Sequence, residues 1–238
     1  MNYALIFAGG TGQRMNSRSK PKQFLELHGK PLIIHTLEFF EYCEKIDAIC
    51  VVCLAGWEAV LTNSMNQYGI SKVRWIVPGG KTGHDSIYHG LQTLSNICKP
   101  DDVILIHDGV RPLISEELIE KNLECVQQYG NAITVETAAE SVVQLADDET
   151  ISNVPPRQQM RIAKAPQCFY FEDIIKAHQM AQEEGFKSVD SAHLMNHYGY
   201  ELHTVESTPY NIKIATPSDY YVFRALYEAR ENSQIFGL

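Results

Sequence analysis

Short runs of β-favouring apolar residues alternate with stretches of helical periodicity along this chain, the pattern of parallel βαβ units. Tyr3–Phe7, Ala48–Leu54, Val73–Val77, Val103–Ile106 and Ala132–Val135 are near-continuous apolar runs, as strands covered on both faces are. Between them the spacing predicts helices over Leu32–Cys43, Trp57–Tyr68, Ser86–Ile97 and Glu116–Tyr129. Gly69 and Gly130 stand just past two of these, where a C-terminal cap needs glycine. An open α/β sheet takes its ligand at the carboxyl ends of its strands. Four of the strands run into unusual loops there: Ala8–Arg14, Pro78–Asp85, His107–Pro112 and Glu136–Ser141. The expectation is a Rossmann-like α/β fold, mostly parallel, with helices on both faces.

From about Ala138 to Lys164 the pattern changes. Val142–Leu145, the acidic turn Asp147-Asp148-Glu149 and Ile151–Val154 read as a β-hairpin, after which Pro155-Pro156 blocks a helix. A lone two-stranded hairpin is marginal in water, so this arm is expected to pack on a partner, most simply a second copy of the chain. Helical patterns resume at Phe171–Glu184 and Asp190–Tyr198, strands at Leu202–Val205 and Asn211–Ile214, and a last helix at about Pro217–Glu231. Without repeats or linkers, residues 1–238 read as one domain with an arm at about 138–164.

Composition narrows the function. A chain of 238 residues that is 45% hydrophobic and 21% charged is neither disordered nor fibrous. At this size it buries roughly 70% of its unfolded surface, so it needs no disulfide or metal staple. Twenty Lys+Arg against 29 Asp+Glu give a net charge of −9. Such a surface repels a phosphate backbone and anionic lipid, so neither nucleic acid nor membrane is an expected partner. No window approaches the ~20 apolar residues of a membrane span, and the opening MNYALIF lacks a signal peptide's basic leader, so a cytoplasmic location is expected. The six cysteines lie scattered in apolar segments and read as free thiols. Cys50 and Cys53 are three apart in a strand, hence on opposite faces, and cannot share a metal or a disulfide. His193 and His197 are four apart on a helix, but no third ligand stands near them, and they read as ordinary helix histidines.

A basic cluster in so acidic a chain points to an anionic ligand. Gly9-Gly10-Thr11-Gly12-Gln13-Arg14-Met15 follows the first strand, and Lys20-Pro21-Lys22-Gln23-Phe24 follows soon after. Glycines there let backbone N–H groups approach a phosphate. A tight βα turn needs glycine too, but Arg14 and Lys22 beside the loop favour a triphosphate. The Gly-Lys-Ser/Thr of a Walker A loop is missing, as are Gly-x-Gly-x-x-Gly and the acidic residue that a dinucleotide site places after its second strand. His107-Asp108-Gly109-Val110-Arg111-Pro112 sets a carboxylate at a strand's end, which can hold Mg2+ bridging phosphates or simply pair with Arg111 in a turn. Pro78-Gly79-Gly80-Lys81 precedes a helix that Asp85 or Ser86 would cap. Further cations stand at Arg157, Arg161, Lys164 and Lys213, the last interrupting the apolar pattern of Ile212 and Ile214.

Gly-Gly-Thr-Gly-x-Arg-Met, then Pro-Lys-Gln-Phe-Leu-x-Leu-x-Gly-Lys-Pro and His-Thr-Leu-Glu-x-Phe, resemble the cytidylyltransferases acting on methylerythritol phosphate and on ribitol 5-phosphate. Gly79-Gly80, His107-Asp108-x-x-Arg111-Pro112, Asp190-Ser191-Ala192 and Asn211-Ile212-Lys213-Ile214 extend the resemblance over nearly the whole chain. It implies a nucleotidyltransferase fold, CTP and an alditol phosphate as substrates, Mg2+, and a homodimer interlocked through the arm. Phe7, Ala8, Gly9, Gly10, Gly80, Lys81 and Ser86, with Gly109 nearby, would bind CTP. Arg14 and Lys22 would stabilise charge on the triphosphate. Arg111, Arg157 and Lys213 would hold the acceptor phosphate, Arg157 reaching the partner's site, and Asp108 would lie near Mg2+. Lys81 and Gly83 stand where relatives usually carry Asp and Arg, Ala165 where many carry Thr, and Glu140-Ser141 where an Asp-Thr pair is common.

The resemblance and the chemistry agree on the reaction. A phosphate monoester is largely a dianion at pH 7, its second pKa being ~6, and attacks without a general base. What it needs is positioning and positive charge around the reacting phosphates. The Gly9-Gly10 opening, where methylerythritol enzymes tend to have Ala-Ala-Gly, leans to ribitol 5-phosphate and hence to CDP-ribitol for cell-surface polymers. The alternative is the methylerythritol reaction of isoprenoid synthesis. An inactive nucleotide-binding module would not need Arg14, Lys22, Asp108, Arg157 and Lys213 together.

Overall fold

The computed structural model describes residues 1–10 and 20–236. Its centre is a seven-stranded sheet in the order β11-β7-β10-β6-β1-β4-β5. The strands are β1 (Asn2–Ala8), β4 (Ala48–Cys53), β5 (Val73–Pro78), β6 (Val103–Asp108), β7 (Asn131–Thr137), β10 (Arg161–Tyr170) and β11 (Thr204–Glu206). Short β2 (Glu26–Leu27) and β3 (Lys30–Pro31) pair with each other, as do β8 (Gln144–Leu145) and β9 (Ile151–Asn153) on the arm. All neighbours in the large sheet are parallel except β10, which runs antiparallel to both β6 and β7.

Strand alternation divides the core. Ala4, Ile6, Ile49, Val51 and Cys53 face one side, with α1 (Leu32–Tyr42), α2 (Glu58–Tyr68) and α4 (Glu116–Tyr129). Leu5, Cys50 and Val52 face the other, with α3 (Gly83–Leu94), α5 (Phe171–Glu184) and α6 (Ser191–His197). Cys50 and Cys53 thus lie in different layers, as the strand spacing requires, and burial pushes their thiols up to about 12 and about 11. The last helix, α7 (Pro217–Phe236), closes a smaller core in which Phe223 and Ile214 meet Leu27, Leu32, Val110 and Leu113. His193 and His197 pack on the ring of Phe186.

Three local expectations are corrected. β10 sits in the middle of the sheet, so Arg161–Lys164, expected in the arm, belong to its first half. Its pairing with β7 shifts register between Ala163 and Gln167, so Pro166 falls in the irregularity, where no ladder donor is required. Asn211–Ile214 is not a strand but an extended strap without a ladder; its apolar pattern reflects Ile214 entering the α7 core. Finally, α3 is capped by neither Asp85 nor Ser86 but by Thr82, whose hydroxyl accepts from Asp85 N at 3.1 Å while Asp85 accepts from Thr82 N at 3.2 Å.

The arm forms the hairpin that its sequence predicts, trimmed to β8 and β9. Val143, Leu145, Ile151 and Val154 are all exposed on it.

Candidate active site

A cleft of about 1190 Å³ opens at the carboxyl ends of β1, β5 and β6. Two glycine loops form one wall. Gly9 follows β1 and Gly79 follows β5, and their backbones touch: a Cβ on Gly79 would lie 2.7 Å from Gly9 Cα. Gly79 N donates to Cys53 O at 2.7 Å, tying this junction to β4. Only glycine allows so close an approach. A Cβ on Gly80 would meet Asp85 Cβ at 2.4 Å. Gly80 N donates to Ser86 Oγ at 3.0 Å, and Ser86 donates onward to Thr82 O at 2.8 Å, so the Ser86 hydroxyl shapes the loop. Phe7, Ala8, Gly10 and Lys81 line the same wall. Gly109 lies behind it, packed on Ala8 and donating from its N–H to Phe7 O at 3.0 Å.

The residues after Pro21 form a 3-10 turn, Lys22–Phe24. Phe24 anchors the turn by stacking on Trp57 at 4.8 Å, and Lys22 enters the cleft, donating to Ile214 O at 3.2 Å. Gln23, to which sequence reasoning gave no role, is buried and donates its amide to Ala8 O at 2.6 Å and Gly10 O at 3.2 Å. It clamps the glycine loop to the turn that carries Lys22. Its one mark in the sequence is its place in the Pro21-Lys22-Gln23-Phe24-Leu25 motif that carries the family resemblance. Arg14 lies outside the described residues.

The opposite wall is built from side chains. Asp108 ends β6, is 5% exposed, and accepts from Arg111 Nε at 2.7 Å. Lys213 Nζ sits 2.5 Å from its other oxygen and 5.9 Å from the centre of the Phe7 ring. Burial alone pushes the Asp108 carboxyl up, but Arg111 and Lys213 more than reverse this and hold it well below the usual carboxylate range. Neighbouring His107 is buried and lowered to about 3, hence neutral. Arg111 is buried too; beyond Asp108 it donates to Asn211 O at 3.0 Å, so it braces the wall instead of lining the cleft. Arg157 lies on the arm, exposed, donating to Ala139 O at 3.2 Å, and does not line this chain's cleft.

A metal test follows from these donors. Among the described residues, no group of three His, Cys, Asp or Glu could hold an ion. Asp85 is engaged in the helix cap, which leaves Asp108 as the carboxylate on the cleft floor, already accepting from two cations. Its remaining lone pairs suit an ion held mainly by phosphates and water, the habit of Mg2+, and not a resident metal.

The family of 2-C-methyl-D-erythritol 4-phosphate cytidylyltransferases, IspD, matches residues 3–228. A ribitol-5-phosphate cytidylyltransferase of Streptococcus agalactiae serotype V is 48% identical over 239 residues, covering 100% of both chains. A 2-C-methyl-D-erythritol 4-phosphate cytidylyltransferase of Clostridium botulinum is 36% identical, covering 92% of this chain and 93% of that one. Among solved structures, the 4-diphosphocytidyl-2C-methyl-D-erythritol synthase of Anaerococcus prevotii superposes with a TM-score of 0.83 at 26% identity, over 95% of this chain and 96% of the other. With its mostly parallel sheet, interlocked glycine loops and cationic facing wall, the chain belongs to the IspD family of cytidylyltransferases.

Proposed function

We propose that the chain transfers CMP from CTP to D-ribitol 5-phosphate, giving CDP-ribitol and pyrophosphate. The full-length 48% identity to a ribitol-5-phosphate cytidylyltransferase carries this choice of acceptor. The geometry supports the reaction. An oxygen of the acceptor's phosphate attacks the α-phosphorus of CTP in line; the bond from that phosphorus to the bridging oxygen breaks, and its electrons leave with pyrophosphate. The dianionic acceptor needs no base, and the cleft supplies cations instead. Lys22 faces the triphosphate from the glycine side, with Arg14 as its expected companion. Lys213 faces the acceptor phosphate from the Asp108 side, and Arg111 keeps Asp108 and the strap in place. Mg2+ arriving with CTP would neutralise phosphate charge, with Asp108 as its protein ligand.

Among the described residues no helix is long and apolar enough to cross a membrane. The exposed apolar arm supports a homodimer, in which Arg157 would serve the partner's acceptor site. Sedimentation should then give twice the chain mass. Pyrophosphate release with MgCTP, assayed against ribitol 5-phosphate and methylerythritol 4-phosphate in parallel, tests the reaction. Turnover with ribitol 5-phosphate is expected; turnover with methylerythritol 4-phosphate alone would overturn the proposal.

A further inference from the structure

Lys164 is a cation whose position the reaction leaves unexplained. It does not line the cleft, yet its side chain is only 9% exposed. It stands on β10 and makes two contacts, an ion pair with Glu136 of β7 and a hydrogen bond from Nζ to Asn211 O at 3.3 Å. That carbonyl oxygen is the one Arg111 holds from the other side at 3.0 Å. Arg111 reaches Asp108, and Asp108 reaches Lys213, two residues beyond Asn211 along the strap. Glu136, Lys164, the Asn211 carbonyl, Arg111, Asp108 and Lys213 therefore form one unbroken polar chain from the base of the arm to the cleft.

We propose that Lys164, neutralised by Glu136, is a positioning residue that fixes the Asn211–Lys213 strap and thereby sets Lys213 for the acceptor phosphate. A buried ion pair is weak evidence for stability, since apolar replacements of similar volume often fold as well. Its consequence here is geometric. The strap has no ladder to hold it; it is fixed by separate contacts, Ile214 N to Val110 O at 2.9 Å, the Asn211 amide to Ala165 O at 2.7 Å, and the two cations on the Asn211 carbonyl. Arg111 is already bound to Asp108, and the Asn211 amide already reaches β10 at Ala165; Lys164 is the contact that carries the strap on to Glu136 of β7. Lys22 touches the strap at Ile214 O and Lys213 lies over the Phe7 ring, but neither Glu136 nor Lys164 lines the cleft, so CTP binding should respond little to their loss.

The inference rests on the proposed acceptor reaction, and its test separates the two. Lys164→Met combined with Glu136→Gln removes both charges and orphans neither. Loss of one charge-assisted hydrogen bond predicts a fall of about tenfold in kcat/KM for ribitol 5-phosphate. The KM for CTP should stay within about twofold, and Lys164→Arg alone should retain most of the parent activity. Hydrogen exchange, which needs no acceptor, should quicken in a peptide covering the strap and stay unchanged in peptides covering α3. If the parent is inactive with ribitol 5-phosphate, the acceptor proposal fails and exchange alone decides the positioning role. Unchanged exchange in the strap would overturn that role. So would acceptor kinetics within twofold of the parent, or CTP and acceptor constants worsening together.

Discussion

The two walls of the cleft are made of different materials. The glycine wall, proposed for CTP, is backbone: Gly9 against Gly79, Gly80 against α3, and Gln23 clamping two carbonyls. The facing wall, proposed for the acceptor, is charge: Asp108, Arg111 and Lys213, with Lys164 behind them. A backbone wall recognises by shape and fails when something is added to it. A charged wall stabilises developing charge and fails when something is removed, because Asp108 is then left buried with one counterion fewer.

The largest effect should come from removing a cation on either side of the cleft. Lys213→Ala, and Lys22→Ala beneath the triphosphate, should each lower kcat by ~10²-fold or more in steady-state pyrophosphate release while the fold persists. Near-parental turnover in both would remove transition-state charge from the account of this cleft. A smaller effect should come from adding one methyl to the glycine wall. Gly79→Ala puts a Cβ 2.7 Å from the Gly9 Cα, where both partners are backbone and neither can yield cheaply. Overpacking of ~1–3 kcal/mol should raise the KM for CTP about tenfold and leave the acceptor KM within twofold. An equal rise in both constants would mean that the walls are not independent.

The smallest effect concerns acid. Burial lowers His107 and His178 to about 3, and lowers His35 and His84 as well. The unfolded chain takes up protons near pH 6.5 that the folded chain refuses, so this stability is complete above pH 6.5 and is lost as pH falls toward 3. Asp108 is shifted in the same direction, by its two cations and against its burial, and its contribution holds until pH falls into the ordinary carboxylate range, then is lost as pH falls further. Between pH 7 and 5 the histidines alone should act, lowering Tm by several degrees in calorimetry. A flat Tm there would show these rings to be hydrated.

The same contrast governs what could be read from the sequence. The CTP wall is local: each loop follows its strand directly, and Gly9-Gly10 and Gly79-Gly80 announce themselves by composition. α4 and α5 fall at Glu116–Tyr129 and Phe171–Glu184, as their apolar spacing predicts, and Gly130 caps α4 as expected. The acceptor wall joins residues about a hundred apart, Arg111 to Asn211 and Asp108 to Lys213, and no periodicity encodes that meeting. Lys213 stood out because it broke an apolar pattern, even though the strand inferred around it is a strap. β10 was missed because its proline and cations are the very features that mark an edge or a loop, and because the arm separates it from both its neighbours, β6 and β7, which precede the arm. Gln23 carries no compositional signal, since its work is done on backbone carbonyls.

The strand order also sets a schedule for synthesis. β1, β4, β5 and β6 are mutually adjacent and complete once the chain reaches Asp108. β7 has no neighbour among them; its partners are β10 and β11, so it waits until Tyr170 has been made. At ~5–20 residues per second the wait lasts a few seconds, with a strand and an apolar hairpin both uncovered. The nascent chain can therefore shape its nucleotide wall early, but Lys213 comes after every strand of the sheet. A fragment released before that point would carry both glycine loops but lack the cation that the proposed reaction sets on the acceptor phosphate.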